Sequence, residues 1–252
     1  MLPLKIRFTV LIPLYNKRQH ILDTLASVLA QSHPAAEILV IDDGSSDGGA
    51  DLVAEQNIAG VKIIRQHNGG VSKARNRGYA LAKHDYIALL DADDTWSPLY
   101  LEEMAEAICR LPNAGLYASS YQYRDGEDQF CDAKVRGLSK RREVGLLDNY
   151  FAVAAQGDLP FISSSVCLNR AVLQDRFSFP EGEVMGEDQA VWSQVALYSS
   201  IVYNPRILVL YQRCADNRAC VNHVPLKECP FSQRLTQLSS EHMLGEALEA
   251  DI

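Results

Sequence analysis

The sequence predicts an α/β protein in which helices cover both faces of a mostly parallel sheet. Short apolar runs, each long enough for one buried strand, alternate with stretches whose apolar residues recur at helical spacing. The runs are mostly apolar, as is typical of parallel strands that are buried on both faces. Each of the first four runs also ends in a cluster of polar residues.

Four strands and three helices are predicted in the first half of the chain. The strands are residues 8–13, 37–41, 61–65 and 86–90. The first helix carries one apolar face, made by Ile21, Leu22, Leu25, Val28 and Leu29, and the second includes Leu52 and Val53. A third helix, rich in cations, follows Gly69 and Gly70. After the fourth strand, Ser97 is suited to cap a further helix and Pro98 to occupy its first position.

The polar clusters at the four strand ends predict one binding site. They are residues 14–16, residues 42–47, residues 66–70, and the aspartates Asp91, Asp93 and Asp94. In open parallel sheets, ligands bind at the carboxyl ends of the strands. Four such coincidences favour a shared site over four unrelated loops.

The pattern is less regular in the second half of the chain. Strands are predicted at residues 115–123, 161–168 and 201–210, and a helix near Glu187. Residues 124–143 are polar, and their basic run 140–142 is interpreted as a solvated loop. Leucines between residues 235 and 248 suggest a terminal helix. We therefore divide the chain into residues 1–112, 113–226 and 227–252, the first two being halves of one domain.

The composition excludes several classes of protein. The 252 residues carry a net charge of -8, which argues against nucleic acid as a partner. No apolar run approaches the roughly 20 residues that span a bilayer, and the start does not resemble a signal peptide, so a cytoplasmic location is expected. The six cysteines include no Cys-x-x-Cys pair, so we predict structural thiols and no zinc site.

The residue types at the strand ends suit a nucleotide. Asp91 and Asp93, two residues apart, would face the same side of an extended chain and could hold a divalent cation against phosphates. Taken alone, this pair is equally typical of a polar turn. Tyr15 could stack on a base, and Asp42 or Asp43 could accept the ring N–H of uracil.

The segment before the third helix suits an anion. Backbone N–H groups of Gly69 and Gly70, together with Lys73, Arg75 and Arg77, could bind a diphosphate. The sequence contains neither Gly-x-Gly-x-x-Gly nor Gly-x-x-x-x-Gly-Lys-Ser/Thr, so dinucleotide oxidoreductases and P-loop NTPases are not expected.

These motifs resemble those of the family 2 inverting glycosyltransferases, which have the GT-A fold. The resemblance rests on four ordered segments, residues 10–16 (VLIPLYN), 41–47 (IDDGSSD), 68–78 (NGGVSKARNRG) and 90–94 (LDADD). In the second half only Gly186-Glu187-Asp188 matches, at the family's acceptor-site motif. The Gln-x-x-Arg-Trp motif of processive members is absent, and the loop at residues 211–217 lacks an initial histidine.

The resemblance implies a fold, a reaction and a set of site residues. The fold would be a mixed, mostly parallel sheet flanked by helices, and the reaction metal-dependent transfer from a UDP-sugar with inversion. Asp188 would be the general base, assisted by Glu187, and Asp93 with Asp91 would hold Mn²⁺ or Mg²⁺. The donor would contact Pro13, Tyr15, Asn16, Asp42, Asp43, Lys73, Arg75 and Asp91.

The implied acceptor is a carbohydrate or a lipid-linked glycan, in surface polysaccharide or glycolipid synthesis. A lipid-linked acceptor would bring the protein to the inner face of the membrane by peripheral contact.

Two other functions remain open at the level of sequence. A sugar-phosphate nucleotidyltransferase shares the sheet type, although Pro13-Leu14-Tyr15-Asn16 stands where its glycine-rich loop would be. The second alternative is a protein that binds a carbohydrate or a nucleotide sugar without catalysis. The presence of Asp91, Asp93 and Asp188 argues against it. Glu187 and Asp188 by themselves are equally typical of acidic residues at a helix start.

Overall fold

The computed structural model describes residues 6–126, 129–138, 141–174, 177–183, 185–214 and residue 236. Its strands are β1 (Phe8–Leu14), β2 (Glu37–Asp42), β3 (Val61–Arg65), β4 (Tyr86–Leu89), β5 (Thr95–Trp96), β6 (Leu116–Arg124), β7 (Phe130–Asp132), β8 (Gly145–Leu146), β9 (Val166–Asn169) and β10 (Ile201–Gln212). Its α-helices are α1 (Ile21–Leu29), α2 (Gly49–Glu55), α3 (Val71–Leu81), α4 (Tyr100–Arg110), α5 (Tyr150–Ala154), α6 (Arg170–Leu173) and α7 (Glu187–Tyr198).

All ten strands belong to one mixed sheet with the order β3-β2-β1-β4-β9-β6-β10-β5, in which β7 pairs with β6 and β8 with β10. Strands β1, β2, β3, β4, β6 and β10 run in one direction, and the other four run against them. The predicted mostly parallel sheet is therefore confirmed. Strand β9, from the second half of the chain, lies between β4 and β6, so one sheet includes strands from both halves.

The central strand β1 is buried along its whole length, which explains its unbroken apolar run. Phe8, Val10 and Ile12 contribute to the core that also contains Leu25 of α1. Leu11 points to the other face and belongs to a second core with α3 and α7. A strand between two helical layers needs apolar side chains at every position.

Helix α3 packs closely on β1. A Cβ atom at Gly78 would lie 2.0 Å from Cδ1 of the buried Leu11, so only glycine allows this approach. The close packing fixes the height of α3 above the sheet, and with it the position of the cations that α3 carries.

One predicted face and two predicted boundaries are wrong. Leu29, predicted on the apolar face of α1, is 51% exposed, whereas Thr24 is buried and its Oγ1 donates to the carbonyl of Asp94 (2.9 Å). Helix α4 begins at Tyr100 and not at Pro98, because the preceding residues form a turn in which Tyr100 N donates to Ser97 O (3.0 Å). Of residues 161–168, only the end is strand, since residues 163–165 form a 3-10 turn.

Some of the remaining predicted segments lie within the described residues, and others lie outside them. The polar stretch 124–143 includes the short strand β7, which pairs with β6. The predicted terminal helix and most of residues 215–252 lie outside the described residues. Among the helices that are described, none is both long and apolar enough to cross a bilayer.

Candidate functional site

The carboxyl ends of β1, β2 and β4 meet at one edge of the sheet, where they bring together the predicted polar clusters. Leu14 at the end of β1 is paired with Asp42 at the end of β2. Asn16 joins the two loops: its N–H donates to Ser45 Oγ (3.1 Å), and its Oδ1 accepts from Ser46 N (2.8 Å). Pro13 is buried within β1, whereas Tyr15 is 42% exposed at the edge.

Asp43 is used as an internal acceptor. Its carboxylate accepts from the N–H groups of Gly69 (2.9 Å) and Gly70 (2.8 Å) and from Gln66 Nε2 (2.7 Å). The expectation that these two glycine N–H groups are free to bind a diphosphate is therefore wrong. A buried carboxylate needs such donors, and Asp43 uses them to hold the loop before α3 against the end of β2.

Asp42 is also buried and bonded locally, because its Oδ1 accepts from Ser45 N (2.9 Å). This bond closes the turn that follows β2. The two aspartates that sequence assigns to the uracil thus both shape the loops around the exposed ring of Tyr15.

Residues 91–94 form a turn, not the extended chain that was expected, and Asp94 N donates to Asp91 O (3.1 Å). Asp94 is fully buried, and its carboxyl group accepts from Ser164 Oγ and from Gln212 N (3.0 Å). Burial is the main cause that raises the pKa of Asp94 well above its ordinary value, and the negative charges of Asp93 and Asp91 raise it further. Asp94 therefore anchors the acidic turn to β10.

Asp91 and Asp93 are each paired with a different cation. Lys17, from the loop after β1, places Nζ 2.7 Å from Asp93 Oδ2. Arg75 of α3 places one guanidinium nitrogen 2.8 Å from Asp91 Oδ1. The sequence motifs do not include Lys17, although its position two residues after Tyr15, just after the end of β1, is a signal that could have identified it.

Arg75 is the most buried cation of this edge, with 3% of its side chain exposed. Its second terminal nitrogen lies 3.1 Å from Glu187 Oε1, and its guanidinium carbon lies 5.4 Å from the centre of the Phe179 ring. Burial acts to lower the pKa of Arg75, but the charges of Asp91 and Glu187 outweigh it and raise the pKa above its usual range. Arg75 therefore stays charged and joins the end of β4 to the start of α7.

Lys73 occupies a different side of α3. It is exposed, and its side chain runs back over Gly69, where an added Cβ atom would lie 2.3 Å from Lys73 Cδ. It lines an open cleft together with His67 and Arg77. Lys73 and Arg75, which the sequence assigns to one nucleotide, thus face opposite sides of the helix.

Glu187 and Asp188 open helix α7, as predicted, after Gly186 in the left-handed conformation (φ 81°). Asp188 Oδ1 accepts from Gln189 N (2.7 Å), and Ser163 Oγ lies 3.5 Å from Oδ2. Burial and the charge of Glu187 raise the pKa of Asp188 to about 6, although Arg75 acts in the opposite direction. A carboxylate with this pKa is a suitable proton acceptor near neutral pH.

The donor set at the acidic turn fits a divalent cation in part. Asp91 and Asp93 offer hard carboxylate oxygens, the ligands that Mg²⁺ and Mn²⁺ prefer. Within the residues that the structure describes, no group of three or more His, Cys, Asp or Glu side chains is arranged to hold a metal ion. Further oxygens would have to come from a ligand, and the phosphates of a nucleotide are such oxygens.

Ser164 is a second site residue that lies outside the sequence motifs. Its Oγ accepts from Asp91 N (3.1 Å) and donates to Asp94, while its carbonyl accepts from Trp96 Nε1 (2.7 Å). Two of these bonds hold the ends of the acidic turn, and the third ties Ser164 to Trp96 of β5. The three consecutive serines at 163–165 carry no recognisable pattern that would have identified this role.

The chain matches the model of a known protein family. Residues 9–172 match the model of "Glycosyl transferase family 2". The matched region includes all four strand-end clusters and the 3-10 turn with Ser164, and it ends before α7.

Individual relatives agree with this match. Glycosyltransferase GlyA of Streptococcus pneumoniae is 26% identical over 213 residues, which are 82% of this chain and 30% of that protein. Glycosyltransferase TuaG of Bacillus subtilis, named for teichuronic acid biosynthesis, is 39% identical over 101 residues, which are 39% of this chain and 40% of that protein. The aligned segments thus cover less than half the length of either relative.

Among solved structures, residues 1–349 of Staphylococcus aureus TarS in complex with UDP-GlcNAc superpose with a TM-score of 0.71. The superposition covers 87% of this chain and 62% of the TarS chain, at 20% sequence identity. At this identity the similarity establishes the fold.

Proposed function

Since the chain belongs to glycosyl transferase family 2, we propose that it transfers a sugar from a nucleoside diphosphate sugar, with UDP as the nucleotide, to an acceptor hydroxyl with inversion at the anomeric carbon. The observation that carries the proposal is the ion-pair chain from Asp91 through Arg75 to Glu187. It joins the acidic turn, which suits a diphosphate with a cation, to the helix start that holds a carboxylate of raised pKa.

The uridine is assigned to the loops after β1 and β2. The exposed ring of Tyr15 offers a face on which a base can stack. Asn16, Asp42 and Asp43 hold the surrounding backbone through the hydrogen bonds described above, so their part in donor binding is to shape the pocket. Pro13 fixes the direction in which β1 enters it.

The diphosphate is assigned to the acidic turn. Asp93 and Asp91 would hold Mn²⁺ or Mg²⁺ against it, and the cation would offset the charge of the departing nucleoside diphosphate. Lys17 beside Asp93 and Lys73 at the start of α3 supply further positive charge on this side of the sheet. Both ammonium groups can approach phosphate oxygens as point charges.

Asp188 is assigned the role of the general base. Its carboxylate would take the proton of the acceptor hydroxyl as the hydroxyl oxygen attacks the anomeric carbon and the bond to the diphosphate breaks. With a pKa of about 6, Asp188 is mostly ionised at neutral pH and yet basic enough to accept a proton. One displacement of this kind inverts the anomeric configuration.

The acceptor is proposed to be a carbohydrate or a lipid-linked glycan of a surface polysaccharide. The name of TuaG refers to teichuronic acid, and the solved TarS structure contains UDP-GlcNAc. A lipid-linked acceptor would place the protein at the inner face of the membrane.

The test is a screen for donor turnover. The protein is incubated with UDP-, GDP-, CMP- and dTDP-sugars in the presence of Mn²⁺, and the released nucleotide is measured with and without candidate glycan acceptors. Acceptor-dependent release of UDP is the expected result. Release of pyrophosphate from a nucleoside triphosphate and a sugar phosphate would identify a nucleotidyltransferase instead.

A parallel thermal-shift measurement separates binding from catalysis. A ligand that binds only the folded state raises its apparent stability. A sugar nucleotide that stabilises the protein, but releases no nucleotide in the presence of any acceptor tried, would support a binding protein and contradict the proposed transfer.

A further inference from the structure

Arg75 is placed between the two halves of the site and away from open solvent. Its two terminal nitrogens pair with Asp91 at 2.8 Å and with Glu187 at 3.1 Å, and only 3% of the side chain is exposed. Sequence motifs alone assign this residue to the nucleotide. Two of the five N–H donors of Arg75 serve these carboxylates, and its buried Nε has no partner among the described residues. Because only 3% of the side chain is exposed, a nucleotide that enters from solvent meets little of Arg75.

The surroundings of Arg75 form a second link between the same two elements. The guanidinium lies over the ring of the buried Phe179, which belongs to the segment that leads to α7. The neighbouring Asn76 holds that segment from both sides, since its Oδ1 accepts from Phe179 N (2.8 Å) and its Nδ2 donates to Phe179 O (2.8 Å). Helix α3 thus holds the approach to α7 through two consecutive residues.

We propose that Arg75 is a positioning residue, which fixes Glu187 and the start of α7 relative to Asp91 and does not itself bind the donor. The proposal rests on the proposed function, in which Asp91 serves the donor and Asp188 the acceptor. The planar guanidinium has donors on both sides and can hold two carboxylates at a fixed separation. Displacement of a catalytic group by about 1 Å can cost about 10²-fold in rate, so this separation matters for turnover.

Arg75→Lys tests the proposal because it keeps the positive charge and loses the two-sided geometry. We expect turnover at saturating donor to fall by about 10²-fold, while the dissociation constant of UDP with Mn²⁺, measured by calorimetry, stays within a factor of two. Arg110→Lys is the matched control: Arg110 is exposed and pairs with Glu106 on α4, so neither quantity should change.

A double variant separates positioning from a general loss of stability. Glu187→Gln removes the other end of the same link, so Arg75→Lys combined with Glu187→Gln should lose little more turnover than the more impaired single variant. Losses that multiply would mean that the two residues act independently, and they would overturn the proposal. A UDP dissociation constant raised tenfold by Arg75→Lys, with turnover retained at saturating donor, would make Arg75 a donor ligand and would also overturn it.

Hydrogen exchange distinguishes failure of this inference from failure of the proposed function. The amide of Ala190 donates to Gly186 O (3.0 Å) in the first turn of α7. Arg75→Lys should speed exchange of this amide, and Arg110→Lys should not. If the wild-type protein turns over no sugar nucleotide, the proposed function fails while this measurement still shows whether Arg75 holds α7; unchanged exchange at Ala190 would overturn the inference.

Discussion

The ammonium group of Lys17 lies 2.7 Å from the carboxylate of Asp93, the residue that the sequence motifs assign to a divalent cation. The pair joins the loop after β1 to the acidic turn after β4, across 76 positions of sequence. An ammonium ion and a divalent cation compete for the same oxygen, because both are attracted by its charge. Cation binding at this turn therefore requires Lys17 to move or to share Asp93.

Lys17→Met should raise the affinity of the nucleotide-free protein for Mn²⁺. The gain should be at least roughly 5-fold, since about 1 kcal/mol is the upper end for exposed ion pairs and this pair is largely buried. The measurement is a Mn²⁺ titration followed by electron paramagnetic resonance. Lys62→Met is the control, since Lys62 pairs with Glu37 at the start of β2, at the opposite edge of the sheet.

Asp93→Asn provides the contrast to Lys17→Met. It should weaken Mn²⁺ binding and abolish the dependence of UDP affinity on the cation, as calorimetry with and without chelator would show. An Asp93→Asn protein that needs Mn²⁺ for UDP binding as the wild type does would refute the assignment of Asp93.

Tyr15→Ala should weaken UDP binding by roughly 10-fold. Stacking of a base on an aromatic ring is worth about 1–3 kcal/mol, and Tyr15 is the exposed ring at the predicted uridine site. Because the ring is exposed, the melting temperature should change little. Tyr15→Phe keeps the stacking face and should bind UDP normally. Tighter binding of GDP or CDP than of UDP by the wild type would contradict the uracil assignment.

Asp188→Asn should lower turnover by about 10²- to 10⁴-fold and leave UDP affinity unchanged, because the amide cannot accept a proton. In the wild type, kcat/KM should rise with pH through about 6 and then level off, as Asp188 loses its proton. The variant should lack this step. A wild-type profile that is flat between pH 5 and 7 would place the base elsewhere.

The same pKa predicts a change in stability with pH. The folded-state pKa of Asp188 is raised from 3.8 to about 6, so folding favours its protonated form. Its contribution to stability is complete below pH about 4 and is lost as pH rises through about 6. Thermal melts should therefore show Asp188→Asn gaining stability relative to the wild type between pH 4 and pH 7.

Ser164→Ala should destabilise the fold by about 1–3 kcal/mol, because it leaves the buried Asp94 carboxyl group and the Asp91 N–H without their partner. Denaturant unfolding measures this cost. The loosened turn should also weaken cation-dependent UDP binding. Ser193→Ala is a matched control, since Ser193 is equally buried and its Oγ donates to a carbonyl of its own helix (2.8 Å), not to the acidic turn. Equal losses in both variants would argue against a special role for Ser164.

The fold and the location of the site were predictable from the sequence. Strands β1, β2 and β3 were predicted to within one residue. For the fully buried β1 and β2 the reason is that a strand between two helical layers is apolar on both faces. The polar residues that follow such strands come to one edge, since parallel strands all end there. The order of strands and loops in the sequence is therefore enough to predict that Tyr15, Asp42 and Asp91 lie at the same edge of the sheet.

The tertiary structure alone decided which partner each polar residue has. Arg75 and Glu187 are 112 positions apart, and Asp43 meets Gly69 and Gly70 only because β2 and α3 are packed side by side. Ion pairs and hydrogen bonds depend on distances of about 3 Å, which the order of residues does not encode. The sequence of this protein therefore determined which chemical groups reach the edge of the sheet. The tertiary structure determined which of them are bonded to other residues of the protein and which are exposed to a ligand.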